Sequence, residues 1–199
     1  MIRRYSKNEI NDLVGILQNN GVISVPTDTV YGICALLNSK IAYENLMKVK
    51  NRPVTKLLPI MCANEEQIKK IAILNDNAKR IINKFMPGPI TLVLKARKKI
   101  PKYINNGGDT VAVRIAPTQE IKEIIIKLNS PIFMSSANQS GESPCKNIDE
   151  IEKNIPLLNG ILEGEIIFGQ GSTIIDCSSN EIKILREGPI SLKQIMKEI

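Results

Sequence analysis

The chain has 199 residues, of which 43% are apolar and only 4% aromatic, so a single domain with an aliphatic core is expected. The net charge of +7 has two open explanations, a lysine-rich surface or an anionic partner such as a nucleotide or RNA. Because the chain contains no histidine, Ser-His-Asp and Cys-His catalysis and His-ligated metals are excluded. Any chemistry must depend on Lys, Arg, hydroxyls, carboxylates, backbone amides or a metal that a substrate brings.

The sequence also gives expectations about the cellular compartment and about the role of the four cysteines. No apolar stretch approaches the roughly 20 residues of a membrane span, and residues 1–7 lack the apolar segment of a signal peptide, so we expect a cytoplasmic protein without membrane contact. The four cysteines form no Cys-x-x-Cys pair, which argues against a zinc site or a disulfide framework. Cys34, Cys62 and Cys177 are expected to be buried, whereas Cys145 lies in a polar segment that leaves both burial and exposure open.

Helical and extended patterns alternate along the chain, with no repeat, linker or change of composition. In the second helix, Ile41, Leu46 and Val49 are candidate core positions. The alternation favours one α/β domain on a mixed sheet, with ligands where polar loops at strand ends converge. In chain order, helices are predicted over 7–19, 39–50, 64–72, 75–85, 118–128, 148–155 and from 191 onward, and strands over 22–25, 57–62, 90–94, 110–115, 131–134, 172–177 and 182–185.

A cluster of cations follows the second helix. The helix dipole favours a cation at this end by only about 0.3–1 kcal/mol, which is enough to explain Lys48. Pro53 places Arg52 in an extended conformation off the helix, and Lys56 directly precedes an apolar strand. Together with Lys50, these cations suit the neutralisation of a triphosphate during displacement at phosphorus. The sequence has no Walker A loop and no Gly-x-Gly-x-x-Gly motif, which argues against nucleotide binding by a P-loop or a Rossmann fold.

Other polar residues follow or lie on predicted strands. Strand 22–25 opens into a hydroxyl-rich loop at 27–29, and Ser136 and Asn138 follow strand 131–134, where an ordinary turn is also a sufficient explanation. By alternation, Arg114 shares a face of its strand with Thr110 and Ala112. Because a cation on a central strand needs an anionic partner, Arg114 requires either a structural ion pair or a ligand carboxylate.

Taken together and in this order, these segments resemble the YrdC family of threonylcarbamoyl-AMP synthases. The resemblance extends over nearly the whole chain, as one domain over residues 1–199, and the pairing of Lys-x-Arg with Ser-x-Asn is its most specific part. The motifs that carry it are Pro26-Thr27-Asp28-Thr29-Val30-Tyr31-Gly32, Lys50-x-Arg52-Pro53 with Lys56, Pro87-Gly88-Pro89-Ile90-Thr91, Val111-Ala112-Val113-Arg114, Ser136-Ala137-Asn138 with Ser140-Gly141, Gly171-Ser172-Thr173-Ile174 and Arg186-x-Gly188.

The resemblance implies a twisted, mixed open α/β sheet flanked by helices around a deep basic cavity. It implies the condensation of L-threonine, bicarbonate or CO₂, and ATP to threonylcarbamoyl-AMP and pyrophosphate, for tRNA N6-threonylcarbamoyladenosine-37 modification by a separate transferase complex. Mg²⁺ would arrive with ATP, without a dedicated protein metal site. By the family pattern, Lys50 and Arg52 would be catalytic beside the phosphates; Thr29, Arg114 and Ser172 would hold threonine; and Arg52, Lys56, Thr110, Met134, Ser136, Asn138 and Arg186 would hold ATP.

Some family members carry Asn in place of Lys56 and His in place of Met61, so this chain departs from the pattern at both positions. Two other functions stay open beside the synthase. One is a non-catalytic RNA-binding module that uses the same basic concave surface, with salt-sensitive and weak tRNA binding, although the low aromatic content argues against recognition of single strands by stacking. The other is adenylation of a different carbamate.

Overall fold

The computed structural model describes residues 2–53, 57–179 and 181–198. Within these residues eleven strands form one sheet, in the order β1-β9-β2-β3-β8-β4-β7-β6-β10-β11, with β5 paired to β6. The strands are β1 (Arg4–Tyr5), β2 (Ile23–Pro26), β3 (Tyr31–Leu36), β4 (Ile60–Cys62), β5 (Ala72–Ile73), β6 (Ile90–Ala96), β7 (Thr110–Ile115), β8 (Ile132–Ser136), β9 (Gly160–Leu162), β10 (Thr173–Asp176) and β11 (Lys183–Arg186). Parallel and antiparallel pairs both occur, which confirms the predicted mixed sheet.

Six of the eight α-helices in the described residues begin at a residue whose side chain accepts a hydrogen bond from the backbone of the first turn; the first and fifth helices are the exceptions. Ser39 accepts from Ala42 N, and Thr118 accepts from Ile121 N, so both predicted caps are confirmed. The helices are α1 (Ile10–Gln18), α2 (Lys40–Val49), α3 (Glu65–Ile71), α4 (Asp76–Phe85), α5 (Lys102–Asn105), α6 (Gln119–Leu128), α7 (Ile148–Asn154) and α8 (Leu192–Met196), with a 3₁₀ turn at Lys7–Glu9 before α1. Within the described ranges, no helix combines the length and apolar character needed to cross a bilayer.

The two faces of the sheet are covered differently. On one face, α2, α4 and α7 pack over strand residues such as Ile60 and Phe133, in the larger of two apolar clusters. On the other face, α1 and α6 pack over Cys34, Ile132 and Met134 in a smaller cluster. The rest of this second face is not covered by α1 and α6, and it forms the floor of a cavity. The strands therefore supply both a core and a binding surface.

The structure corrects one predicted core position and decides the placement of the cysteines. Ile41 is 60% exposed, because the buried stripe of α2 runs through Ala42, Tyr43 and Leu46 instead. Cys145 is buried, since its backbone N–H donates to Ala137 O at 2.8 Å and draws it under the loop after β8. The buried positions of the other three cysteines are confirmed. The sequence patterns did not predict β1, β3, β5, α5 or β9, of which β3 matters most because it lies beside β8 in the centre of the sheet.

The packing of α6 predicts a sharp difference between two adjacent isoleucines. Ile125 is fully buried against α1, whereas Ile126 is 57% exposed. We expect Ile125→Ala to lower the free energy of unfolding by about 2–5 kcal/mol, because it leaves a cavity in the core. Ile126→Ala makes the same chemical change in the same helix and should alter stability by less than about 0.5 kcal/mol. Urea denaturation of both variants checks this, and equal losses would contradict the assigned orientation of α6.

Candidate functional site

A cavity of about 560 Å³ lies over the uncovered part of the sheet. Its floor is formed by side chains of β4, β6, β7 and β10, and its rim by the loops around them. Eight residues predicted from the sequence line it: Thr29, Arg52, Thr110, Arg114, Met134, Ser136, Ser172 and Arg186. Lys50 and Asn138 are buried next to the cavity but are not among its lining residues. The prediction for Lys56 falls outside the described residues.

Arg114 is the most buried cation of the cavity wall, with 5% of its surface exposed. It forms a buried ion pair with Asp28, its Nη1 donates to Thr29 Oγ1 at 3.1 Å, and its Nε donates to Gly88 O at 2.9 Å. Of the two alternatives left by the sequence, the structure shows the ion pair. These bonds use three of five N–H groups, so one N–H on each terminal nitrogen has no partner among the described residues. A ligand carboxylate can accept from them.

The loop between β2 and β3 presents an acceptor to the cavity. The Oγ1 of Thr27 donates to Val30 O at 2.6 Å, which uses its only proton. Thr27 therefore has no proton for Thr29 Oγ1, which lies 2.9 Å away, and its own Oγ1 already accepts from the backbone N–H groups of Thr29 and Val30 at 3.1 Å. Since Thr29 also accepts from Arg114, its remaining lone pair is an acceptor for a ligand N–H. Gly32 borders this region, and a Cβ there would lie 2.3 Å from the sulfur of Met134, so a larger residue would displace the Met134 side chain in the cavity wall.

Lys50 supports the cavity wall from behind. Its Nζ donates to Ser136 O at 2.5 Å, to Asn138 O at 3.0 Å and to Asn138 Oδ1 at 2.9 Å. Asn138 Oδ1 also accepts from Ser136 Oγ at 2.6 Å, and Asn138 Nδ2 donates to the backbone of Gln139 and Glu142. The Lys-x-Arg and Ser-x-Asn segments are thus joined directly. Lys50 and Asn138 shape the loop that carries Ser136, and their direct contact with a ligand stays a prediction.

The two other arginines of the wall are held by backbone carbonyls. Arg52 donates to Leu57 O at 2.7 Å, across the gap in the described residues. Arg186 donates to Ser172 O from Nε at 2.9 Å and from Nη2 at 2.8 Å. A Cβ at Gly171 would lie 2.8 Å from Nη2 of Arg186, so the glycine leaves room for the guanidinium group.

The lining residues that the structure describes include three arginines and no carboxylate. Burial lowers the pKa of Arg52 and of Arg186, and it lowers the pKa of Arg114 against the opposing effect of Asp28. All three guanidinium groups still remain charged near neutral pH, because arginine in proteins is always protonated. The depth and basic character expected of the cavity as a whole stay a prediction.

Asp28, Thr27 and Thr91 contribute to the site but were given no role from the sequence. The sequence predicted that a buried Arg114 needs an anionic partner, but nothing in it identified Asp28 as that partner. Thr91 is the second residue of β6, and strand alternation places it on the same face as Val93, which also lines the cavity. Met61 lies opposite Arg114 in the β4–β7 pair and adds an apolar contact to the wall.

Fold and site define an α/β protein with a ligand-sized, arginine-lined cavity on a mixed sheet. The chain belongs to the Sua5/YciO/YrdC family, whose model, described as "Telomere recombination", matches residues 15–188. This confirms the family predicted from the motifs.

Named relatives agree with this membership. The threonylcarbamoyl-AMP synthase of Yersinia enterocolitica is 30% identical over 173 residues, which cover 83% of this chain and 91% of the relative. The threonylcarbamoyl-AMP synthase of Pyrococcus abyssi is 34% identical over 96% of this chain, but this chain spans only 57% of it. A solved structure of P. abyssi Sua5 complexed with L-threonine superposes with a TM-score of 0.93 at 30% identity, and it covers all of this chain and 61% of the solved chain.

The contacts of Lys50 lead to a prediction about stability. Lys50→Met keeps most of the side-chain volume but removes the Lys50 donor from the backbone carbonyls of Ser136 and Asn138. We expect a loss of about 1–3 kcal/mol in the free energy of unfolding. Lys48→Met is the matched control, because Lys48 is exposed at the same end of α2, and it should be nearly neutral. Denaturation of both variants in urea checks this, and equal stability of the two would remove the anchoring role.

The difference in stability between wild type and Lys50→Met is expected to depend on pH. Burial and, to a smaller extent, the nearby charge of Arg52 together lower the pKa of Lys50 to about 8. Unfolded lysine titrates near about 10.4, so between about pH 8 and 10.4 the unfolded state binds more protons and the contribution of Lys50 to stability rises with pH. The gap between wild type and Lys50→Met should therefore widen over this range, and stability curves that stay parallel would contradict the shift.

Proposed function

We propose that this protein is an L-threonylcarbamoyladenylate synthase that acts in the cytoplasm as one domain over residues 1–199. It would condense L-threonine, bicarbonate or CO₂, and ATP to threonylcarbamoyl-AMP and pyrophosphate. The observation that carries the proposal is the convergence of Arg52, Arg114 and Arg186, with several hydroxyl groups, on one cavity in a member of this family. The activity named for the relatives and the L-threonine complex of the P. abyssi protein support the same substrates.

The proposed reaction needs little acid–base chemistry from the protein. The neutral amine of threonine adds to CO₂ and releases one proton to solvent, which gives a carbamate, and a carbamate oxygen attacks the α-phosphorus of ATP. A new P–O bond forms, the bond from the α-phosphorus to the bridging oxygen breaks, and pyrophosphate leaves with the electron pair. Because charge collects on phosphate oxygens, catalysis consists mainly of positioning and electrostatic stabilisation. Arginines can supply both in a chain without histidine.

The polarity of the lining groups matches the parts of an amino acid. The spare N–H groups of Arg114 suit a carboxylate, and the free lone pair of Thr29 suits the N–H of the amine or carbamate. Ser172 adds a hydroxyl on the same cavity. These three residues are the proposed threonine contacts.

The nucleotide would lie on the remaining part of the wall. Arg52 and Arg186 would neutralise the phosphates, with Thr110, Ser136 and the backbone of Met134 along the nucleotide, and Lys56 and Asn138 completing the proposed set. Lys50 would act with Arg52 near the phosphates by holding the Ser136 loop in place. Mg²⁺ would be held by phosphate oxygens and water, which fits lining residues that include no carboxylate among those described. A separate transferase complex would use the product to modify tRNA.

The proposal is tested by pyrophosphate release from purified protein with ATP and bicarbonate, with and without L-threonine. We expect release that depends on threonine and is much weaker with L-serine, which lacks the methyl group. Arg52→Ala should abolish release and leave the thermal unfolding curve nearly unchanged, because it removes a phosphate contact and not a core residue.

The competing RNA-binding module predicts a different outcome in the same samples. It requires salt-sensitive binding of tRNA with no turnover of ATP. ATP binding without threonine-dependent release would instead indicate a different carbamate as substrate. Either result would end the proposal of a threonine-specific synthase.

Arg114 provides a prediction that separates binding from stability. Arg114→Ala alone would leave Asp28 buried and unpaired, at a cost of about 3–5 kcal/mol. We therefore expect the double change Arg114→Ala with Asp28→Asn to fold better than Arg114→Ala, and to raise the KM for threonine at least tenfold, a loss of about 1.4 kcal/mol in binding. The KM for ATP should change little. Steady-state kinetics on threonine and ATP check this, and an unchanged threonine dependence would remove Arg114 from the threonine site.

A further inference from the structure

Two buried hydroxyl groups meet on the cavity wall where β6 and β10 begin. The strands are parallel and Ile174 pairs with Thr91, so Ser172, two residues before Ile174, contacts Thr91 diagonally across the pair. The Oγ1 of Thr91 and the Oγ of Ser172 lie 2.8 Å apart. Thr91 is 3% exposed and Ser172 is 6% exposed, and both line the cavity. Because a buried hydroxyl that lacks a hydrogen-bond partner costs free energy, each of the two protons needs an acceptor.

Arg186 determines how this pair can be arranged. Its Nη2 donates to Ser172 Oγ at 3.2 Å, and a guanidinium can only donate. One lone pair of Ser172 is therefore occupied by Arg186. The two hydroxyls carry two protons, and only one can lie between the two oxygens. For the second proton, the hydrogen bonds of the described residues provide no acceptor, so it is available to an acceptor in the cavity, either water or a ligand.

We propose that Thr91 is a positioning residue for the amino-acid substrate, an inference that rests on the proposed function. Thr91 donates its proton to Ser172, and Arg186 fills the second lone pair of the same oxygen. The O–H of Ser172 is then directed into the cavity, where it donates to a carboxylate oxygen of threonine. The charge of Arg186 polarises Ser172 and strengthens this donor. Thr91 thus acts on the substrate through Ser172 and does not touch it.

The proposal is tested with Thr91→Val, which keeps the shape of the side chain and removes its hydroxyl. In the pyrophosphate release assay we expect the KM for L-threonine to rise about tenfold, with kcat and the KM for ATP within about twofold of wild type. Thr91→Ser restores a hydroxyl at the same position and should return the KM for threonine to within about threefold of wild type. An unchanged KM in Thr91→Val would overturn the proposal.

A double-mutant cycle distinguishes positioning from direct contact. If Thr91 acts through Ser172, then Thr91→Val should have no further effect on the KM for threonine in a Ser172→Ala background. Additive effects would show that Thr91 acts on its own and would overturn the proposal. Thr173→Val is the matched control, because Thr173 is a fully buried neighbour whose Oγ1 donates to Ile190 O at 2.6 Å, away from the cavity. It should lower the melting temperature without raising the KM for threonine.

Failure of the proposed function is visible in a different measurement. If wild type releases no pyrophosphate with threonine, that function is lost, and L-threonine is then titrated by calorimetry into wild type and Thr91→Val. Weaker binding to the variant would support the positioning role. Equal binding to both proteins, or binding to neither, would overturn it.

Discussion

The site depends on the burial of a charged guanidinium in the middle of the sheet. Arg114 lies on β7, and burial of its charge is tolerated only because several groups satisfy its N–H donors. Those groups come from the loop between β2 and β3, through Asp28 and Thr29, and from Gly88 before β6. One buried cation therefore fixes two loops against a central strand. Those loops form part of the cavity wall, so the stability of the fold and the shape of the site share the same contacts.

The same principle recurs at two other cations. Lys50 turns away from solvent at the end of α2 and fixes the segment from Ser136 to Asn138, while Arg186 on β11 fixes the backbone of Ser172 before β10. In each case a cation from one element satisfies carbonyl groups of a loop that follows or precedes a strand. Such a wall is organised before a ligand arrives, so little binding energy is lost in ordering it.

The sequence predicted those parts of the molecule that depend on local periodicity and on caps. The long helices, most strands and the face of Arg114 follow from alternation and from capping side chains such as Ser39 and Thr118. Strand β3 was missed because its hydroxyl-rich approach and Gly32 indicate a loop, although long-range pairing with β8 makes it central. Strands of two or three residues, such as β1 and β9, are too short to show a period. Local pattern cannot report on partners that are distant in sequence.

The candidate site shows the same limit at the level of side chains. Residue type and position beside a strand were enough to bring eight predicted residues to one cavity. They were not enough to distinguish residues that line the cavity from residues that support it, because the sequence grouped Lys50 with the phosphate-binding cations and gave no sign of its contact with Asn138. Nor could they reveal Thr91, whose role depends on a single oxygen of Ser172 and on the donor-only character of Arg186. In a site without histidine, catalysis depends on positioned charge, and supporting hydrogen bonds of this kind determine where each donor points. They can be identified only from a three-dimensional structure, in which each donor is matched to its acceptor.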